Sequence, residues 1–112
     1  MDALLNEMDA KIQTLKFTLG KTQTTIESHN VEALKRHEDS LWQKTRAVHD
    51  LKENIEEKKF AHKESEEAVG AWSQGIEKVL HDVDQQIVSL HRMIADMERK
   101  EQTAAKVKEE KE

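Results

Sequence analysis

Two apolar stripes at helical spacing mirror each other across one charged break, and no proline interrupts either of them. The first stripe is Leu34, Leu41, Val48, Leu51 and Ile55. The second is Val69, Trp72, Ile76, Val79, Val83, Ile87, Leu90, Ile94 and Met97, with Leu80 beside it. Steps of three, four and seven residues place each set on one side of a helix. Between the stripes Lys58, Lys59, His62 and Lys63 put positive charge at the end of one helix, and Glu66 and Glu67 put negative charge at the start of the next. Both fit the helix dipole, and Ser65 is a suitable N-cap. The pattern predicts an all-α fold: a long antiparallel helical hairpin, coiled-coil in character, over residues 30–100 with its turn near 63–67. No glycine or proline marks that turn, so one continuous helix of about 70 residues is the competing reading.

Folded at the turn, Ile55 comes toward Trp72 and Ile76, Val48 toward Leu80, Leu41 toward Ile87, and Leu34 toward Ile94. The two stripes are unequal, however. Residues 31–62 carry one clean row, with polar His37, Lys44 and Lys58 at the alternate positions. Residues 66–100 carry three rows, which suits a helix that touches two others. Gly70 and Gly75 flank Trp72, either admitting a close neighbour there or loosening the first turns.

The segment 1–29 reads as an N-terminal amphipathic helix. Leu5, Ile12, Leu19 and Ile26 are seven apart, with Met8 and Leu15 between them, which is the alternation of a single buried seam. Gly20 either marks a stop, with Lys21 beyond it, or is a soft spot within it. From Ile26 to Leu34 the step is eight, so the register changes. Thr24 to Glu27 has capping-box spacing, and Asn30 is a second plausible N-cap. Either a loop sits near 28–30 or one helix runs on with a shifted seam. Residues 3–27 then complete a three-helix bundle with the hairpin, or pair with a second chain. In the second case Leu5, Met8, Ile12, Leu15, Leu19 and Ile26 form an oligomer seam. Residues 101–112 read as a charged, frayed tail.

Composition bounds the function classes. A chain of 112 residues predicts one domain. Charged residues at 37% against hydrophobics at 36% favour a narrow seam over a many-layered core. The net charge of -5 is interspersed, with no basic block to track a phosphate backbone, so no nucleic acid is indicated. Zero cysteines remove disulfides and thiolate metal sites. No run approaches the roughly 20 apolar residues of a membrane span, and the first residues lack a signal-peptide pattern. An intracellular, cytoplasmic setting is the expectation.

Catalytic and cofactor chemistry find little support. Gly20-Lys21-Thr22 has the last letters of a phosphate-binding loop, but Leu15 stands where its first glycine belongs. The six histidines are never three or four apart, so no helix face carries a ligand pair. The carboxylates lie in runs typical of solvated helix faces. No cofactor, metal or enzymatic activity is expected. Trp42 and Trp72 are the most informative single residues: both fit a bundle core, yet Trp42 lies off the inner row and is the candidate anchor for a protein partner.

Several of these features together resemble the helical N-terminal region of Gag-like polyproteins of animal long-terminal-repeat retrotransposons. They are Thr22 and Thr24 followed by Asn30, the spaced Leu34, Leu41, Val48, Leu51 and Ile55, the acidic turn Glu64 to Glu67, and a helix opening on Trp72 and Ile76. The resemblance spans residues 14–97, about three quarters of the chain. It implies a structural role in assembling a particle. By size and helix count the chain also resembles a spectrin-like three-helix repeat. The expected function is a non-enzymatic helical protein–protein interaction module that associates with itself. The alternative is an assembly element of a capsid-like or cytoskeletal scaffold.

Overall fold

A computed structural model describes the backbone of residues 2–110 and the side chains of residues 2–100. Four helices follow in order: α1 (Asp2–Leu19), α2 (Thr22–Glu27), α3 (Val31–Ala61) and α4 (Glu66–Glu110). The hairpin is α3 with α4, and the continuous-helix alternative does not occur. The last helix is longer than the apolar periodicity reached. The segment expected to fray from residue 101 is helical through Glu110, because Ala104, Ala105 and the neighbouring Lys and Glu residues favour helix intrinsically. The rest of that expected tail, residues 111–112, lies outside the described residues.

Both corners are real, and both are built without glycine. At the α3 end Lys63 adopts φ 63°, its N–H donates to the Phe60 carbonyl at 2.9 Å, and the Glu64 N–H donates to the Lys59 carbonyl at 3.1 Å. This pair of bonds around a left-handed residue is a Schellman motif. Ser65 then caps α4, its Oγ accepting from the Ala68 N–H at 3.1 Å. At the other corner His29 takes φ 53°, and Asn30 Oδ1 accepts from the Ala33 N–H at 3.1 Å to start α3. The capping box at Thr24 is not used, since Thr24 lies within α2 and Lys21 stands at its N-cap. Gly20 and Lys21 bend the chain between α1 and α2 with helix-like bonds, Gly20 N–H to Lys16 carbonyl among them.

The antiparallel register is fixed by cross-links along the seam. Glu38 meets His91 at 2.8 Å, Lys52 meets Glu77 at 3.1 Å, and Ser73 donates to Glu56 at 2.6 Å. Lys35 pairs with Glu98 at the open end. Inside this ladder Leu34, Leu41, Val48 and Ile55 are completely buried against Leu80, Val83, Ile87, Leu90 and Ile94. Each such side chain contributes on the order of 1.5–3 kcal/mol of hydrophobic stabilisation. Val69 and Leu51 are buried too, while Trp72, Ile76 and Met97 pack half-buried at the core's edge and Val79 is half-buried.

The N-terminal segment packs on one side of the hairpin from within the same chain, chiefly against α3 rather than against the three-row helix α4. Met8 and Leu15 are fully buried in the hairpin's own core, and Leu5, Ile12, Leu19 and Ile26 pack against it half-buried. Thr22 lies level with His37, and Ala10 shares a groove with Lys44 and Ala47. The segment therefore runs antiparallel along α3 and points its start toward Ile55. The residues expected as an oligomer seam are in this way engaged inside the chain. The physical reason is tethering: the short corner at 28–30 holds α1 beside α3 at an effective concentration on the order of millimolar. Gly70 and Gly75 face open space, with nothing within 4 Å of a Cβ at either, so neither admits a close neighbour.

Candidate partner-docking site

With α1 and α2 on one side of the hairpin, the opposite flank is left open, and Trp42 stands in it. The placement follows from helix geometry. Residues Leu34, Leu41, Val48 and Ile55 take the inner row, and one residue beyond Leu41 is a turn of about 100° away from it. Lys44 and Ala47 face α1, so Trp42 falls on the other side. Its indole is 52% exposed. The Glu38 to His91 and Lys52 to Glu77 links bracket it and set it level with Ile87 and Val88. Val88 is 49% exposed and lies one turn along α4 from Asp84.

Trp42 lines an open groove of about 630 Å³ together with Asp39, Gln43, Thr45, Arg46, His49, Asp50 and Asp84. Thr45 is its buried floor, the hydroxyl donating to the Leu41 carbonyl at 2.7 Å. Asp39 accepts from the Gln43 amide at 3.0 Å, and His49 faces Glu53 at 3.6 Å. Among the described residues neither Asp39, Asp50 nor Asp84 forms an ion pair. The groove is thus an apolar anchor ringed by three carboxylates and one guanidinium.

The flank is stiffened toward the corner by a polar cluster. Lys52 is buried, its Nζ 3.3 Å from Glu56 and 3.1 Å from Glu77. Burial alone pulls the Lys52 pKa down, but hydrogen bonds and charge from Glu77 and Glu56 outweigh it and the net shift is upward. The Ser73 hydroxyl holds the Glu56 carboxyl below its ordinary value; burial opposes this, and Lys52 reinforces it. Farther along, the Lys59 ammonium lies over the Trp72 ring at 5.4 Å, a cation–π contact that covers the second tryptophan.

On the braced side His37 and Thr22 Oγ1 share a hydrogen bond of 2.7 Å. Burial first, then the positive charges of Lys21 and Lys44, hold His37 below its ordinary pKa. Among the described residues no three His, Asp or Glu side chains converge as a metal site. His49 and His81, level with each other across the seam, are engaged by Glu53 and Gln85 on their own helices.

Trp42 was legible as an off-row residue. Asp39, Asp50 and Asp84 were not, because they fall outside every apolar row, and Asp84 joins the groove only once the antiparallel register is known. The Lys52 cluster left one readable trace: Ser73 interrupts the inner row Leu80, Ile87, Ile94 seven residues before it begins.

No family model, curated protein or solved structure matches the chain. The fold itself defines the class: an all-α antiparallel hairpin braced by its own N-terminal helices. No helix of the described residues is long and apolar enough to cross a membrane.

Proposed function

We propose that this chain is a non-enzymatic helical protein–protein interaction module that docks its partner on the α3/α4 flank around Trp42. The observation that carries this is the half-exposed indole in a groove on a rigid pair of helices, where a large aromatic side chain has no partner that covers it. Tryptophan on such a frame is a typical interface anchor, since it presents large area at small entropy cost. Self-association through this same flank is the homotypic form of the reading, because the N-terminal seam is engaged in cis. A capsid-like or cytoskeletal assembly is its open-ended form.

A photo-crosslinking residue placed at position 42, with Lys78 as an exposed control on α4, tests the module directly. The expected result in cells expressing the chain is a discrete adduct at 42 and none at 78. Equal adducts at both positions, or none at either, contradict it. Sedimentation equilibrium separates the forms: a defined dimer supports homotypic binding, continuous growth supports assembly, and a monomer at all concentrations removes both.

A further inference from the structure

We infer that the occupant of the Trp42 groove is a basic amphipathic helix of a different protein, rather than a second copy of this chain. The inference deepens the reading above and rests on it. Two antiparallel helices with an open furrow between them accept a third helix lengthwise, and the stretch of α3 from Asp39 to Asp50, about 16 Å at 1.5 Å per residue, is long enough for apolar contacts spaced at i, i+3, i+4 and i+7. Trp42 supplies the apolar contact within the groove, and Val88 is exposed one turn along α4 from Asp84. Asp39 and Asp50 lie on either side of Trp42 along α3, and Asp84 faces them from α4. With no ion pair of their own among the described residues, these carboxylates are available to lysine or arginine on both shoulders of an incoming helix.

The same charges disfavour a homodimer on this flank. A two-fold interface presents identical patches to each other, so Asp39, Asp50 and Asp84 of each copy would be brought against those of the other. Arg46 is the one formal cation lining the groove, so a pair of copies would set two guanidiniums against six carboxylates, too few to neutralise them. Like charges across an interface act against the wrong partner more strongly than matched ones reward the right one.

The test uses the full chain and two labelled synthetic helices of about four turns, one pairing a leucine face with lysine, the other the same face with glutamate. Fluorescence anisotropy is expected to show the lysine helix binding and the glutamate helix not. Trp42→Ala is expected to weaken binding at least about tenfold. A combined Asp39→Asn, Asp50→Asn and Asp84→Asn variant should weaken it comparably and flatten its dependence on salt. All of these positions are exposed except for partial cover at the groove, and circular dichroism confirms that each variant folds. In a Trp72→Phe background the emission of Trp42 should shift to the blue on binding. Equal binding of both helices, or undiminished binding to Trp42→Ala or to the triple variant, overturns the basic-helix occupant. A dimer that Trp42→Ala dissolves, and that the lysine helix does not displace, also overturns it while leaving the interaction reading standing. Absence of helix binding together with a strictly monomeric chain and no adduct at position 42 overturns both.

Discussion

Lys52 shows how a buried charge sets the register of this hairpin. Its ammonium sits between Glu56 on its own helix and Glu77 on the partner helix, and Ser73 completes the cluster. Replacing it with a shorter apolar residue leaves Glu56 half-buried with one hydrogen bond. Lys52→Ala is therefore expected to cost about 1–3 kcal/mol, below the figure for a fully buried pair because Glu77 is solvated; urea unfolding measures it. The acid side follows from Glu56. Its folded pKa lies below the ordinary 4.5, so its contribution is present above that value and is lost as pH falls through the folded pKa. His37 acts at milder pH. Its folded pKa lies below the ordinary 6.5, so the fold binds fewer protons there than the unfolded chain, and stability falls as pH drops below 6.5. Melting curves between neutral pH and pH 5 should show this loss for the wild type and a smaller one for His37→Gln. An equal loss in both would take His37 out of the account.

At the scale of elements, the helices were legible and the corners only partly so. The inner row Leu34, Leu41, Val48 and Ile55 predicted α3, and the caps at Asn30 and Ser65 are used as expected. The corners were ambiguous because His29 and Lys63 hold left-handed conformations that glycine normally takes. Nothing in a histidine or lysine announces that conformation. It is imposed by the two helices that must pack on either side. This gives a prediction: Lys63→Gly should stabilise the hairpin by about 1 kcal/mol, the left-handed penalty of a side chain. Gly75→Ala, in open space within α4, should add about 0.5–1 kcal/mol through helix propensity. Both are read by thermal or urea unfolding, and a loss of stability in either contradicts the local geometry. Helix α4 runs past the last apolar row to Glu110, because periodicity stops where apolar residues stop, whereas helix propensity does not.

At the scale of the molecule, the spaced apolar residues of the first helix turn inward, but a sequence does not say whose core they enter. Leu15 and Met8 are as suited to a second chain as to their own hairpin. The short corner at 28–30 decides for the same chain, and the result is a rod of 72 × 21 × 16 Å with one flank covered and the other carrying Trp42. The groove depended on the hairpin's register, since Asp84 on α4 joins Asp39 and Asp50 on α3 across a wide gap in sequence. The central claim is thus that α1 docks in cis and leaves the Trp42 flank open. Spin labels on cysteines at Lys11 and Lys44, which line one groove between α1 and α3, test it directly, as the chain has no native cysteine. With helix axes 8–10 Å apart, the labels should lie within about 20 Å, and the distance should persist in excess unlabelled protein. A short distance that vanishes on dilution with unlabelled chain, or one found only beyond about 30 Å, would contradict the account.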